Sequence, residues 1–296
     1  MSLQTEAPTP LEELPLAVTA NPPGDALVET LTAALDKVAD AATADDPVEM
    51  VHDARKALKE YRALLRLVPG DAAKTARHAA AATARTLSAA RDRQAAREAL
   101  EALEDADLIP APHAAQAMAV IDALPHAAAE DADHRAVLLA FLATARADHA
   151  DHLDTAARAA DVVAGLRKAY AKAYAAKDWS RPESLHDLRK RVVTHRYQMA
   201  FAADISRGGK GGKRARSAQR LRDILGLYQD LEALKLILAA ALGTAHEAVM
   251  SDIAAATRTF QRKLVKQAQA RHAQLFRHRP RQFEDRLRRR FAPPSL

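Results

Sequence analysis

A run of basic side chains on one predicted helix face is the feature of this sequence best able to bind a ligand. At about 100° per residue, its members fall within an arc of roughly 120°. At about 1.5 Å of rise per residue the run is roughly 21 Å long, which suits an extended anion better than one small phosphate. We name this run the first basic stripe; it consists of His52, Arg55, Lys56, Lys59, Arg62 and Arg66.

Like charges stand three and four residues apart along this stripe. Each such pair destabilises a helix by about 0.2–0.5 kcal/mol, whereas ordinary exposed helices mix both signs and gain ion pairs. A bound polyanion would offset the repulsion through charge-assisted hydrogen bonds, with arginine as a two-pronged donor and lysine as a point charge. For a single stripe, a merely solvated cationic face is the alternative interpretation.

The pattern recurs 134 residues later as a second basic stripe, in which His186 takes the place of His52. Its members are His186, Arg189, Lys190 and Arg196. This stripe is thinner, because Val193 and Ala200 stand where the first stripe has cations. The leading histidine of each stripe can donate to a phosphate oxygen and take up a proton as the anion approaches. A packing role at the start of the helix is the alternative.

A glycine- and lysine-rich segment at 207–216 follows the second stripe. Its backbone amides, cations and following helix N-terminus could hold phosphate, although a plain flexible connector is the alternative. The segment is not a Walker loop, because no Lys-Ser/Thr pair has the required spacing and no strand precedes it. Together with arginines on the helices that follow each stripe, the additional polyanion-binding candidates are Lys210, Lys213, Arg214, Arg85, Arg91, Arg220 and Arg222.

The composition supplies helices to position these side chains. Helix formers dominate, whereas only 9 glycines and 4% aromatic residues are present, so we predict an all-α fold. Apolar residues recur at helical spacing, with interruptions at proline and glycine. The predicted helices span about 24–44, 47–68, 71–106, 112–129, 131–160, 161–177, 182–206, 213–242 and 245–277.

Charge is distributed unevenly along the chain. Residues 1–180 hold 19 Lys and Arg against 28 Asp and Glu, whereas residues 181–296 hold 25 against 10. The C-terminal part alone therefore has the charge of a polyanion-binding protein. Of the 19 cations in the acidic part, 11 lie in the range Arg55–Arg97, so the positive charge there is local.

Several classes of site are excluded by residue type. The absence of cysteine rules out disulfides, thiolate metal sites and a cysteine nucleophile. Histidines in the range Asp148–His152 lie in an acidic stretch and face different sides of the helix, so we predict no metal site and no cofactor. Apolar stretches fall short of the roughly 20 residues that a membrane span needs, so we expect no membrane association.

The duplicated His-x-x-Arg-Lys helix resembles the signature of the CHAD family, the histidine-containing α-helical domain. The resemblance covers about residues 24–278. A second shared element strengthens it, because Leu87–Asp92 corresponds to Leu225–Asp230 at an offset of 138. The resemblance implies two pseudo-symmetric four-helix bundles that bind inorganic polyphosphate in a basic groove or pore. It also implies a cytoplasmic location with association to polyphosphate granules in prokaryotes.

The repeat predicts a domain organisation built on a duplicated helical unit. We expect a disordered tail over residues 1–23 and a loosely packed basic tail over residues 279–296. The first predicted bundle covers residues 24–160, and the second covers residues 161–278. Each bundle would then bury its own apolar stripes.

Three functions compete on these residues. The first is non-catalytic binding of polyphosphate. The second is nucleic-acid binding, since such stripes also neutralise nucleic-acid backbones, although few aromatics are available for base stacking. The third is an enzyme that cleaves phosphate chains, which would need carboxylates to hold Mg²⁺. The available acids adjoin arginines, where capping or ion pairing explains them, so we predict no catalytic residue among Asp53, Asp92, Asp187 and Asp230.

Overall fold

The structure is a computed structural model, and it is built from helices. It describes residues 23–87, 91–123, 133–148, 159–176, 178–205, 211–239 and 247–291. The helices are α1 (Pro23–Ala42), α2 (Pro47–Leu64), α3 (Asp71–Thr86), α4 (Arg91–Asp105), α5 (Ala111–Asp122), α6 (His134–Asp148), α7 (Ala159–Tyr174), α8 (Pro182–Asp204), α9 (Gly211–Ala239), α10 (Glu247–Leu275) and α11 (Pro280–Phe291). The predicted all-α fold is confirmed, and the described residues contain no strand.

Helix α2 begins where the sequence predicts. The Asp46 side chain accepts a hydrogen bond of 2.9 Å from the Val48 backbone nitrogen, and Pro47 occupies the first turn. This arrangement satisfies a free amide and uses the fixed φ of proline. The apolar face of α2 is buried, with Leu58 and Tyr61 both fully inaccessible. A 3₁₀ turn at Leu65–Leu67 continues the helix and carries Arg66.

The predicted single helix over 71–106 is wrong, because α3 ends at Thr86 and α4 starts at Arg91. The Arg55 guanidinium explains the end of α3. Its Nη1 donates to the backbone oxygens of Ala84 at 2.9 Å and Leu87 at 3.2 Å. These carbonyls lie at a helix C-terminus, where carbonyls lack intrahelical partners, so a side-chain donor from α2 stabilises the termination.

The helices share one hydrophobic core. Helices α1, α2, α3 and α6 pack together, and α8 packs against α2, α7 and α9. Helices α4 and α5 pack against α9 and α10, so this hairpin from the first predicted half buries its apolar face on the second half. The division into two four-helix bundles at residue 160 remains a prediction. None of the described helices combines the length and the apolar content needed to cross a membrane.

The expectation of a loosely packed basic end is wrong for residues 280–291, which form α11 and pack against α7. Phe283 and Leu287 are both buried. The Phe283 ring stacks on Tyr170 with centroids 4.0 Å apart. The many arginines of this segment suggested solvation, but one apolar residue per turn is enough to anchor a short helix.

Candidate functional site

The first basic stripe lies between two neighbouring helices. On one edge, Arg55 reaches the end of α3. On the other edge, the Tyr197 hydroxyl of α8 donates to the Lys56 backbone oxygen at 3.2 Å, and Gln198 Nε2 donates to the Ala63 oxygen at 2.9 Å. The helical positions of the stripe residues fall between these two contacts. The stripe therefore follows the surface of α2 that lies between its contacts with α3 and with α8.

Arginines from α2, the 3₁₀ turn and α3 lie near enough to interact electrostatically. Burial lowers the pKa of Arg62, and the positive charges of Arg85 and Arg77 lower it further. Desolvation also lowers the pKa of Arg66, followed by the charges of Arg77 and Arg62. Within the described residues, the Arg62 Nε is buried and has no hydrogen-bond partner. We name this group the arginine cluster; it consists of Arg62, Arg66, Arg77 and Arg85.

These cations repel one another, and the repulsion is screened least at the partly buried Arg62 and Arg77, whereas Arg66 and Arg85 are exposed. An anion placed among the four guanidinium groups would accept hydrogen bonds from them and reduce the repulsion. The arrangement can therefore bind a ligand with several negative oxygens. At the start of α2, His52 and Lys56 are exposed to solvent and extend the basic surface away from the cluster.

Arg77 was not among the residues predicted to form the site. It lies on α3, which is rich in alanine. It is outside both repeated motifs. The only feature of the sequence that pointed to Arg77 was the local excess of cations in the range Arg55–Arg97. The packing of α3 on α2 brings Arg77 to Arg62 and Arg66, which no spacing rule within one helix predicts.

The second basic stripe is organised by a glutamine. Arg189 Nη1 donates to Gln229 Oε1 at 2.6 Å, and Gln229 Nε2 lies 2.6 Å from His186 Nδ1. Because the amide oxygen is occupied by arginine, the amide nitrogen donates and the imidazole Nδ1 accepts. The neutral ring then carries its proton on Nε2, which is the nitrogen able to donate to a ligand. Gln229 thus orients two of the four residues of the stripe, His186 and Arg189.

The two other members of the second stripe, Lys190 and Arg196, and Arg222 of α9 all have interaction partners. Lys190 Nζ lies 3.3 Å from Asp187 Oδ1, and both side chains are exposed, so this ion pair contributes little to stability. The Arg196 guanidinium lies 4.6 Å from the Tyr197 ring centroid. Arg222 of α9 bonds the neighbouring Asp223 at 2.8 Å. The second stripe is therefore more neutralised than the arginine cluster.

The remaining predicted residues lie in other parts of the molecule. Lys213, Arg214 and Arg220 line a cavity between α9, α10 and α11. Arg214 Nε donates to His195 Nε2 at 3.0 Å, its Nη2 donates to the Leu275 oxygen, and its guanidinium lies over two aromatic rings. Arg214 thus joins the packing around α11. Lys210 lies outside the described residues, as do residues 149–152 of the histidine cluster.

Arg91 is the first residue of α4. It was predicted as the counterpart of Gln229 in the duplicated element. The two positions differ in local structure, because residue 91 begins a helix whereas Gln229 lies within the long helix α9. The repeat therefore preserves the order of the elements but not the continuity of the helix.

Comparisons with known proteins identify the fold and the family. The crystal structure of the CHAD domain from the plant Ricinus communis superposes with a TM-score of 0.65 at 18% identity, covering 92% of this chain and 98% of that one. PptA from Streptomyces chartreusis superposes with a TM-score of 0.63 at 19% identity, covering 87% and 100%. No curated protein matches. The CHAD domain model matches residues 26–239, and the chain therefore belongs to the CHAD domain family.

Proposed function

We propose that this protein binds inorganic polyphosphate without cleaving it. The observation that carries the proposal is the arginine cluster, in which Arg62 and Arg66 are surrounded by further positive charge. The resemblance of the duplicated motif to the CHAD family supports polyphosphate as the anion. A linear chain of phosphates supplies a negative charge at each unit, which matches cations spaced along a helix.

In this proposal the surface of α2 between α3 and α8 is the groove that binds such a chain along its length. His52, Lys56 and Lys59 precede the arginine cluster along the same helix, so a chain entering beside α8 meets successive donors before it reaches Arg62. The buried Nε of Arg62 gains a hydrogen bond when an oxygen arrives. Hydrogen bonds to charged groups contribute about 1.5–3 kcal/mol each, so a few such contacts give measurable affinity.

The second stripe adds oriented donors to the same proposal. His186 presents its Nε2 hydrogen because Gln229 occupies Nδ1, and Arg189 is held in place by the same glutamine. Neutralisation of Lys190 by Asp187 makes this stripe the weaker contributor. We extend the proposal to a cytoplasmic protein that associates with polyphosphate granules, which the family resemblance implies.

Removing two members of the arginine cluster tests the proposed function. We expect the double variant Arg62→Ala with Arg77→Ala to bind long-chain polyphosphate at least about tenfold more weakly, since charge-assisted hydrogen bonds are lost. The salt dependence of binding should also become shallower by about one unit of slope per lost phosphate contact. Isothermal titration at several salt concentrations measures both effects.

The matched control removes equal charge elsewhere. Arg258 and Arg262 are exposed on α10, so Arg258→Ala with Arg262→Ala changes the net charge by the same amount. We expect this control to bind polyphosphate nearly as the unmodified chain does. Equal weakening in both double variants would show that only overall charge matters, and the arginine-cluster proposal would fail.

Competition with RNA separates polyphosphate from nucleic acid. The tyrosines beside the groove are poor stacking platforms, because Tyr61 is inaccessible and the Tyr197 hydroxyl is engaged with α2. We therefore expect RNA to displace bound polyphosphate poorly at equal phosphate concentration. Efficient displacement would favour a nucleic-acid ligand. Phosphate release from polyphosphate in the presence of Mg²⁺ or Mn²⁺ would contradict the absence of catalysis.

A further inference from the structure

A basic cavity of about 430 Å³ lies between α9, α10 and α11, away from both stripes. Two of its walls, α10 and α11, are beyond residue 239, where the match to the CHAD family model ends. Seven of its lining side chains carry positive charge. Among the described residues, no carboxylate lines the cavity. Besides Arg214, the cationic lining consists of Lys213, Arg220, Arg271, Arg277, Arg286 and Arg290.

Helix α11 builds one wall of this cavity by its packing. Phe283 and Leu287 are buried, and Arg286 and Arg290 stand one residue before and three after Leu287. On a helix these positions adjoin the apolar face, so both arginines lie at the edge of the packed surface. The cavity therefore depends on a docked helix and not on a flexible tail.

Helix α11 carries two acids, Glu284 and the exposed Asp285, and neither lines the cavity. Glu284 bonds Arg288 at 2.8 Å and Arg167 of α7 at 3.2 Å. The carboxylate thus links α11 to α7, and it is not part of the cavity lining. The cavity surface contributed by α11 is therefore cationic and apolar, since both acids of the helix lie outside the lining.

Positive charge from three elements meets at His278. Its pKa is lowered by burial and then by Arg286 of α11, Arg277 of the preceding loop and Arg214 of α9. Arg277 Nε also donates to His278 Nε2 at 3.2 Å. Clefts lined by one sign of charge concentrate oppositely charged solutes, and arginine forks bind phosphate oxygens in pairs.

We propose that this cavity is a second anion site that binds a compact oligophosphate of a few linked phosphate groups. Its volume lies in the range of small-molecule sites, about 300–1,000 Å³, and a half-open site of this size suits a short anion. The site is independent of the groove beside α2, because it uses other helices and other arginines. The ligand is either a free oligophosphate or the terminal segment of a longer chain.

Titration of the full chain with sodium tripolyphosphate tests this proposal. The background is the variant Arg62→Ala with Arg77→Ala, in which the groove is weakened. We expect this background to keep a tripolyphosphate site. Adding Arg271→Ala with Arg286→Ala should weaken that site at least about tenfold, since two charge-assisted contacts are lost. Adding Arg258→Ala with Arg262→Ala instead is the matched control, which should retain the site.

Two outcomes would overturn the cavity site. One is a background variant that binds no tripolyphosphate, and the other is a cavity variant that binds it as well as the matched control does. Arg271 and Arg286 are exposed, so their removal should leave the circular dichroism spectrum and the thermal midpoint unchanged. The variant Arg271→Ala with Arg286→Ala, made without the substitutions at Arg62 and Arg77, keeps the groove intact. Its binding of long-chain polyphosphate therefore tests the proposed function separately from the cavity site.

Competition by long chains identifies the source of the ligand. Two chain lengths are compared at equal total phosphate, with tripolyphosphate bound to the background variant. Displacement in proportion to the number of chain ends supports a terminal segment, whereas absence of displacement supports a free oligophosphate. Displacement that follows total phosphate would mean that chain interiors occupy the cavity, which contradicts a compact ligand.

Discussion

The arginines of this protein are of two kinds, which differ in what surrounds the guanidinium group. Arg55 and Arg214 donate to backbone carbonyls at the ends of α3 and α10, so their charges help to terminate helices. The pKa values of Arg62 and Arg66 are instead lowered by burial and by the charges of neighbouring arginines. Residues of the first kind stabilise the fold, whereas residues of the second kind raise its free energy through mutual repulsion. Position within a motif does not distinguish the two kinds.

Single substitutions at the two kinds of arginine should therefore differ. We expect Arg55→Ala to lower the free energy of unfolding by about 1 kcal/mol, because the Ala84 and Leu87 carbonyls lose a donor. We expect Arg62→Ala to leave stability unchanged or raise it, because it relieves repulsion from Arg77 and Arg85. Urea unfolding of both variants measures the difference. A larger loss of stability in Arg62→Ala would contradict the repulsive arginine cluster.

At the scale of elements, glycines set how closely helices approach. A Cβ added at Gly165 of α7 would lie 3.0 Å from the Leu67 Cα in the 3₁₀ turn. A Cβ added at Gly226 of α9 would lie 3.3 Å from Arg189 Nη2, the end of a flexible side chain. Gly165 therefore sets the distance between the backbones of α7 and the 3₁₀ turn. Gly226 affects only the position of the Arg189 side chain.

Alanine at the two glycines separates stability from binding. Gly165→Ala should destabilise the protein by about 1–3 kcal/mol, because the backbone of the 3₁₀ turn must move. Gly226→Ala should be neutral or stabilising by up to about 1 kcal/mol, since alanine favours helix interiors. It should nevertheless weaken polyphosphate binding, because Arg189 is displaced. Thermal unfolding measures the stability of the two variants, and titration measures their binding of polyphosphate. Unchanged binding in Gly226→Ala would argue against a role for Arg189.

At the scale of the whole molecule, the C-terminal helices close the core around a histidine. His195 is fully buried, with Tyr170, Phe276 and Phe283 rings within 6 Å of its ring, counted between centroids. Burial, followed by the charge of Arg214, places its pKa well below the ordinary value. His195 is therefore neutral in the folded protein. The pKa values of His272 and His278 are lowered as well.

Stability should consequently depend on pH between about 8 and 5.5. The unfolded chain takes up a proton at His195 near the ordinary histidine pKa of about 6.5, whereas the folded chain does not. Unfolding thus becomes easier as the pH falls below that value, and the stabilisation is complete above it. Thermal midpoints across this range should decrease toward acid. The variant His195→Gln should show a shallower decrease, and an unchanged slope would exclude His195 as its cause.

The sequence by itself determined the helical class, the two stripes and most helix boundaries. These depend on apolar spacing, capping residues and proline positions, which act within a few residues along the chain. The break between α3 and α4 and the docking of α11 were not predicted, because Arg55 and Tyr170 act from distant parts of the sequence.

Only the tertiary structure decided which cations meet. Arg77 belongs to no repeated motif, yet packing of α3 on α2 brings it to Arg62 and Arg66. Arg214 belongs to a predicted phosphate-binding segment, yet it lies over the rings of Tyr170 and Phe283. The physical reason is that charge interactions depend on distance and on exclusion of water, and both are set by how helices pack.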